Sequence, residues 1–319
     1  MKNRTLVISH NIDQNFINQI KEIIPKWTII TGRDSEVWNN HVQDAEIIAG
    51  WKKGMKDKLD GQSSLRWLQT WSAGIDSLPL ETLESRNVIL TSANGVHAFP
   101  ISETIFGLML AWTRKIHTYV RNQSSKIWHN ASMKLEIHGK TIGIIGVGVI
   151  GKETAKIAKA FGMTVLGIRN SGMPEEFVDE MSTGKELHSI LPRCDYVVVT
   201  LPHTKQTHHL FGSEEFKKMK KTAFFINIGR GETVVEKELI DALKNGEIAG
   251  AGLDVFEKEP LTEESPLWEL DNVIITPHTA GSTEYYDQRV LENIFIPNLK
   301  DYLQGNKPSV NLVDYTKGY

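Results

Sequence analysis

The stretch Thr141-Ile142-Gly143-Ile144-Ile145-Gly146-Val147-Gly148-Val149-Ile150-Gly151 decides the fold. Its first five residues form a short apolar run of the kind that makes a strand buried on both faces. Three glycines follow in the spacing G-x-G-x-x-G, and then Ala155, Ile157, Ala158 and Phe161 recur at helical spacing. Alone, that glycine spacing is a weak signal. Between a strand and a helix it reads as a turn that binds a dinucleotide. Gly146 permits the tight turn, Gly148 lets the backbone approach a pyrophosphate, and Gly151 lets the helix pack closely on the strand. The amides that open the helix, those of Val149 and Ile150 among them, lack acceptors inside it and face the anion.

Outward from this unit the chain repeats the same alternation of short apolar runs and amphipathic stretches. Upstream the runs are Leu6–Ile8, Thr28–Thr31, Ile47–Ala49, Trp67–Thr70 and Val88–Leu90. The second series is Thr141–Ile145, Thr164–Ile168, Tyr196–Thr200, Ala223–Asn227, Gly252–Val255 and Val273–Thr276. Such a pattern predicts an α/β chain with right-handed crossovers, arranged as two doubly wound parallel-sheet domains. Pro100 marks a seam near Phe99–Ser102. A helix is expected from Ser102 to about Arg121 with Glu103 in its first turn, and another from Thr283 to about Gln304 that returns the chain to the first domain. The predicted domains are therefore 1–98 with 286–319, and a cofactor domain at 99–285.

A length of 319 residues fits two domains. Net charge is −3, so no electrostatic footprint for nucleic acid is visible, and the basic run Lys217, Lys218, Lys220, Lys221 reads as a solvated helix end. The single cysteine, Cys194, rules out an internal disulfide framework and reads as structural. The N-terminal apolar run is too brief for a signal peptide, and no stretch approaches the ~20 apolar residues of a membrane span. The expectation is a soluble cytoplasmic protein that binds neither membrane nor nucleic acid.

The second strand of the cofactor unit discriminates between nucleotides. NAD sites place Asp or Glu at its end to accept the ribose 2′-hydroxyl. Here the strand ends in Arg169-Asn170-Ser171, with no carboxylate at that point. Arginine attracts a 2′-phosphate and serine donates to it, so the reading favours NADP(H) and leaves NAD(H) open.

Reducing a 2-keto acid requires a cation for its carboxylate, a proton donor for the forming alkoxide, and a partner that orients the donor. Three candidates follow successive strands: Arg230 in Ile228-Gly229-Arg230-Gly231, Glu259 in Phe256-Glu257-Lys258-Glu259-Pro260, and His278 in Thr276-Pro277-His278-Thr279-Ala280-Gly281. Arginine grips a carboxylate with two parallel N–H groups. Histidine exchanges protons near neutrality, and a carboxylate beside it orients the ring and stabilises its cation. Singly, each residue is as well explained by a surface ion pair or ordinary packing. In order behind a dinucleotide turn, they are far more specific.

With these blocks the chain resembles the D-isomer-specific 2-hydroxyacid dehydrogenase family. The resemblance also covers Trp71–Asp76, Gly95–Ala98 with Ser102-Glu103, and Leu201-Pro202-His203-Thr204. It implies a Rossmann cofactor domain inserted into a flavodoxin-like substrate domain, a nicotinamide cofactor, a small D-2-hydroxy acid or 2-keto acid substrate, and a homodimer. It assigns Arg230 to the substrate carboxylate, His278 to acid/base work and Glu259 to pairing with that histidine. It assigns Asp254 to the nicotinamide carboxamide and the amides of Ala73 and Gly74 to the substrate carboxylate. Trp51 and Ser72 join the expected substrate set. The expected cofactor set comprises the glycine turn with Val149 and Ile150, Arg169, Asn170, Ser171, Leu201, Pro202, His203, Thr207, Ile228, Gly229, Arg230, Asp254, His278 and Gly281. Arg169 departs from the NAD-using members and is similar to the NADP-using reductases. The cluster His203, His208, His209 lacks a completing ligand set, so no metal is expected. A non-catalytic nucleotide sensor or corepressor on the same fold is the alternative, and the intact Arg230, Glu259 and His278 argue against it.

Overall fold

A computed structural model of the chain describes residues 4–59, 63–75, 77–130 and 135–315. Asp76, at the end of the Trp71–Asp76 block, lies outside them. The chain divides into two compact units, Met1–Val96 with Thr283–Tyr319, and His97–Ser282.

The first unit holds β1 (Thr5–Ile8), β2 (Thr28–Thr31), β3 (Ile47–Ala49), β4 (Trp67–Gln69) and β5 (Ile89–Thr91). All pair in parallel in the order β2-β1-β3-β4-β5, the flavodoxin-like winding. Side chains alternate between two cores, as the pleat requires. Val7, Ile48, Leu68 and Leu90 join one, and Leu6, Ile8, Ile47 and Trp67 the other. Each such side chain removed from water contributes about 1.5–3 kcal/mol.

The second unit holds β6 (Thr141–Ile145), β7 (Thr164–Ile168), β8 (Glu180–Ser182), β9 (Tyr196–Val199), β10 (Phe224–Asn227), β11 (Gly250–Leu253) and β12 (Val273–Ile275). Their order is β12-β11-β10-β9-β6-β7-β8, again parallel throughout. Strand order reverses at β6 and β9, and at that point an open parallel sheet opens a crevice beyond its carboxyl ends. Val197 and Val199 face one core and Val198 the other. Cys194 is fully buried, its sulfur against Gly143, and burial pushes the thiol up to about 12. It is a packed side chain rather than a nucleophile.

Three expectations need correction. The helix expected over Ser102–Arg121 is two helices, Ala98–Thr113 and Ile116–Ser124. Lys115 breaks them apart in the left-handed region at φ 56°, its ammonium 4.1 Å from the centre of the Trp112 ring. Pro100 does not interrupt the first of them, because it lies in the opening turn where a missing N–H costs nothing. Glu103 consequently lies beyond the first turn. The return helix begins at Tyr286 rather than Thr283, and it widens to a π turn over Leu291–Phe295 just before Pro297, whose ring cannot donate to the ladder. Finally, the edge strand β8 was not expected, because Glu-Met-Ser is neither apolar nor fully buried.

At the carboxyl end of β1, the His10 ring stacks on Trp71 at 4.7 Å, and its buried Nδ1 has no hydrogen-bond partner among the described residues. Burial, reinforced by Lys52, lowers its pKa to about 4. Because the folded value lies below the unfolded one near 6.5, stability is complete above pH 6.5 and is lost as pH falls from there toward 4. Sealed completely, such a shift would be worth roughly 3 kcal/mol; the exposed part of the ring cuts this to about 1–2 kcal/mol. Urea denaturation at pH 7 and pH 4.5 should therefore give a smaller pH-dependent loss for His10→Asn than for the parent, and equal losses would remove His10 as the cause.

Candidate active site

The glycine turn joins β6 to the helix Val149–Ala160. Gly146 takes φ +112°, which side-chain-bearing residues avoid, and a Cβ at Gly151 would lie 2.7 Å from the Gly146 carbonyl oxygen. Around Gly148, by contrast, nothing lies within 4 Å of where a Cβ would stand. Closed packing at two glycines and open space at the one facing the helix N-terminus match a pyrophosphate cradle. The donor set fits a dinucleotide.

Arg169, Asn170 and Ser171 follow β7 directly. Arg169 is half-buried; its Nε donates to Ser171 Oγ at 3.0 Å and its Nη1 to Glu175 Oε2 at 3.0 Å. Asn170 and Ser171 are exposed. Beyond β9, Leu201, Pro202 and His203 enter a loop closed by Thr207, whose hydroxyl donates to the Pro202 carbonyl at 2.6 Å. His203 Nε2 and His208 Nδ1 lie 3.1 Å apart, so these rings partner each other.

Arg230 follows β10. Its Nη1 donates to the Gly229 carbonyl at 2.8 Å, while its own carbonyl accepts from Asn227 Nδ2 and Thr233 Oγ1. Among the described residues it has no carboxylate partner, which leaves most of a half-buried guanidinium for an incoming anion. The flanking glycines have a reason the sequence did not reveal. A Cβ at Gly229 would stand 2.5 Å from the Leu201 carbonyl oxygen, and one at Gly231 would overlap the Phe256 backbone at 1.9 Å. They let the loops beyond β9, β10 and β11 touch.

His278 Nδ1 lies 2.6 Å from Glu259 Oε2, and Glu259 Oε1 accepts from the Phe256 amide at 3.1 Å. The carboxylate is thus fixed at one oxygen and holds the imidazole with the other. This leaves Nε2 as the outward nitrogen on a half-exposed ring. The backbone of His278 is left-handed, at φ 53°. Such a conformation at a histidine is uncommon and must be held from outside.

Asp254 holds it. This carboxylate is 2% exposed and accepts from Thr276 Oγ1 at 2.6 Å, from the Thr279 amide at 2.9 Å and from the Ala280 amide at 3.0 Å. Its own carbonyl accepts from the His278 amide at 2.8 Å. Sequence reading named Asp254 for a cofactor contact and missed this anchoring role; the three donors lie more than twenty residues away, so no local spacing signals it. His97, another residue the sequence reading left without a role, lies with Nδ1 2.9 Å from the Gly281 carbonyl oxygen. Burial depresses its pKa, and the charge of Arg230 lowers it further. Arg230, Glu259, His278, Asp254 and Gly281 therefore share one end of the second unit's sheet.

Trp51, Ser72, Ala73 and Gly74 belong to the first unit, beyond β3 and β4. Trp51 packs against its core. Ser72 Oγ donates to the Gly74 carbonyl at 2.7 Å, and Ala73 and Gly74 are half-exposed.

Residues 106–280 match the family model described as D-isomer specific 2-hydroxyacid dehydrogenase, NAD binding domain. The chain is 34% identical to a glyoxylate/hydroxypyruvate reductase B of Escherichia fergusonii across 94% of this chain and 92% of that protein. It is 32% identical to a D-3-phosphoglycerate dehydrogenase of Methanocaldococcus jannaschii across 90% of this chain, although it spans only 55% of that longer protein. Among solved structures, an NADPH-dependent glyoxylate/hydroxypyruvate reductase of Sinorhizobium meliloti, in complex with NADP and sulfate, superposes with a TM-score of 0.81. Identity is 26%, and coverage is 99% of this chain and 100% of that one. The chain belongs to the D-isomer-specific 2-hydroxyacid dehydrogenase family and is a nicotinamide-using enzyme of that class.

Proposed function

We propose that the enzyme is an NADP(H)-dependent reductase of a small 2-keto acid. The 2.6 Å contact between His278 and Glu259, on the same sheet end as an arginine with no carboxylate partner among the described residues, carries this reading. Gly146, Gly148 and Gly151 would hold the pyrophosphate of a nicotinamide dinucleotide, which when bound would supply the hydride. Arg230 binds the substrate carboxylate with its free N–H groups. His278 donates the proton on Nε2 to the carbonyl oxygen, and Glu259 accepts the Nδ1–H hydrogen bond that orients the ring. Half of the His278 ring is exposed, so water can return the proton between turnovers.

Arg169 supports NADP(H), standing where an NAD site has its carboxylate, and the Sinorhizobium meliloti reductase with NADP bound is consistent with it. We further propose a homodimer. Ile116, Val120, Ile127 and Trp128, on the helix Ile116–Ser124 and just after it, are each exposed apolar side chains that a second copy would cover.

In a panel of glyoxylate, hydroxypyruvate, pyruvate and branched 2-keto acids with both nucleotides, His278→Ala should reduce kcat by about 10²–10⁴-fold with little change in nucleotide affinity. Turnover near the parent's would remove histidine from the mechanism. Arg169→Asp should weaken NADPH binding, followed by calorimetry, at least tenfold more than NADH; parallel losses would sink the 2′-phosphate assignment. Sedimentation equilibrium should report twice the chain mass, and a monomer at micromolar concentration would dispose of the dimer.

A further inference from the structure

Around the end of β7, two cations converge on one oxygen. Glu175 Oε2 accepts from Arg169 Nη1 at 3.0 Å and from Lys152 Nζ at 2.8 Å. Lys152 lies in the first turns of the helix Val149–Ala160, immediately after Gly151. Arg169 is also braced by Ser171, whose hydroxyl accepts from its Nε and from the Met173 amide at 3.3 Å. Two N–H groups aimed at a single anionic oxygen from a strand end and a helix start are what a phosphate oxygen would receive there.

We propose that Glu175 is an internal competitor for the adenosine 2′-phosphate of NADP(H), and that Lys152 and Glu175 together set the enzyme's nucleotide selectivity. This rests on the NADP(H) reading above. The argument is one of charge. Arg169 and Lys152 carry two positive charges and Glu175 one negative, so the cluster retains one uncompensated cation. A phosphate monoester carries about −1.5 to −2 at pH 7, which matches the two cations better than a carboxylate does. It cannot be added to Glu175 without placing like charges in contact, so the carboxylate must turn away. A ribose 2′-hydroxyl is neutral and does not compel that exchange. Glu175 therefore opposes the phosphorylated nucleotide only, while Lys152 favours it.

Binding of 2′,5′-ADP and 5′-AMP to the whole enzyme, followed by calorimetry, separates these claims without turnover. The parent should bind 2′,5′-ADP more tightly. Glu175→Gln should tighten 2′,5′-ADP roughly three- to tenfold and leave 5′-AMP within twofold, the range expected for breaking partly exposed ion pairs. Glu175→Ala should act in the same direction. Lys152→Met should weaken 2′,5′-ADP by about fivefold, again sparing 5′-AMP. If the parent binds both nucleotides alike, the NADP(H) reading fails. If it prefers 2′,5′-ADP but Glu175→Gln leaves that preference unchanged or reduces it, the Glu175 assignment alone is overturned. If Lys152→Met leaves 2′,5′-ADP binding intact, Lys152 is no part of the site.

Discussion

A single buried carboxylate fixes the loop that carries His278. Asp254 stands at the end of β11, gathers Thr276, Thr279 and Ala280 onto its two oxygens, and takes the His278 amide on its carbonyl. A buried charge without such donors would cost several kcal/mol. Three donors to the carboxylate convert that cost into a constraint: the loop beyond β12 can adopt only the path that serves them. That path forces His278 into a left-handed backbone, from which its Nδ1 reaches Glu259. The strain at one residue is balanced by hydrogen bonds at its neighbours, a distribution often found where a side chain must point against local preference.

The loops pack around this point by contact of backbone with backbone. Gly231 lies against the Phe256 peptide and Gly229 against the Leu201 carbonyl, so no side chain separates the loops beyond β9, β10 and β11. In a parallel sheet the strands set the spacing of these loops, and glycines close what remains. His97 meets the turn at Gly281, and the charge of Arg230, reaching it from this end of the sheet, helps depress its pKa.

Much of this was legible in the chain. The apolar runs located the parallel strands to within a residue or two, because strands covered on both faces have no polar side to confuse the pattern. The turn at Gly146 declared itself through the strand before it and the helix after it. What stayed hidden depended on tertiary contacts. The break at Lys115 interrupts a stretch of unbroken helical periodicity, and its left-handed backbone has no glycine or asparagine to announce it. β8 is a polar edge strand that pairs only because β7 presents a free side. Glu175 lies six residues beyond Arg169 and more than twenty from Lys152, so neither spacing nor composition shows that the three meet.

Two arginines of the second unit, Arg230 and Arg169, illustrate why residue type alone underdetermines function. Arg230 and Arg169 both follow parallel strands, and both are half-buried. Arg230 has only a carbonyl for its guanidinium among the described residues, whereas Arg169 already holds a carboxylate that it shares with Lys152. A cation left without an anion in a partly desolvated place gains the most from the first one that arrives, which is the basis for proposing Arg230 as the carboxylate anchor. A cation with a resident partner binds only by exchange, and its affinity for a newcomer is a difference between two anions. Such a site discriminates by charge and number of oxygens rather than by charge alone. On the proposed function, the same side chain would be a simple anchor at one strand end and a comparator at another, with its partners deciding which.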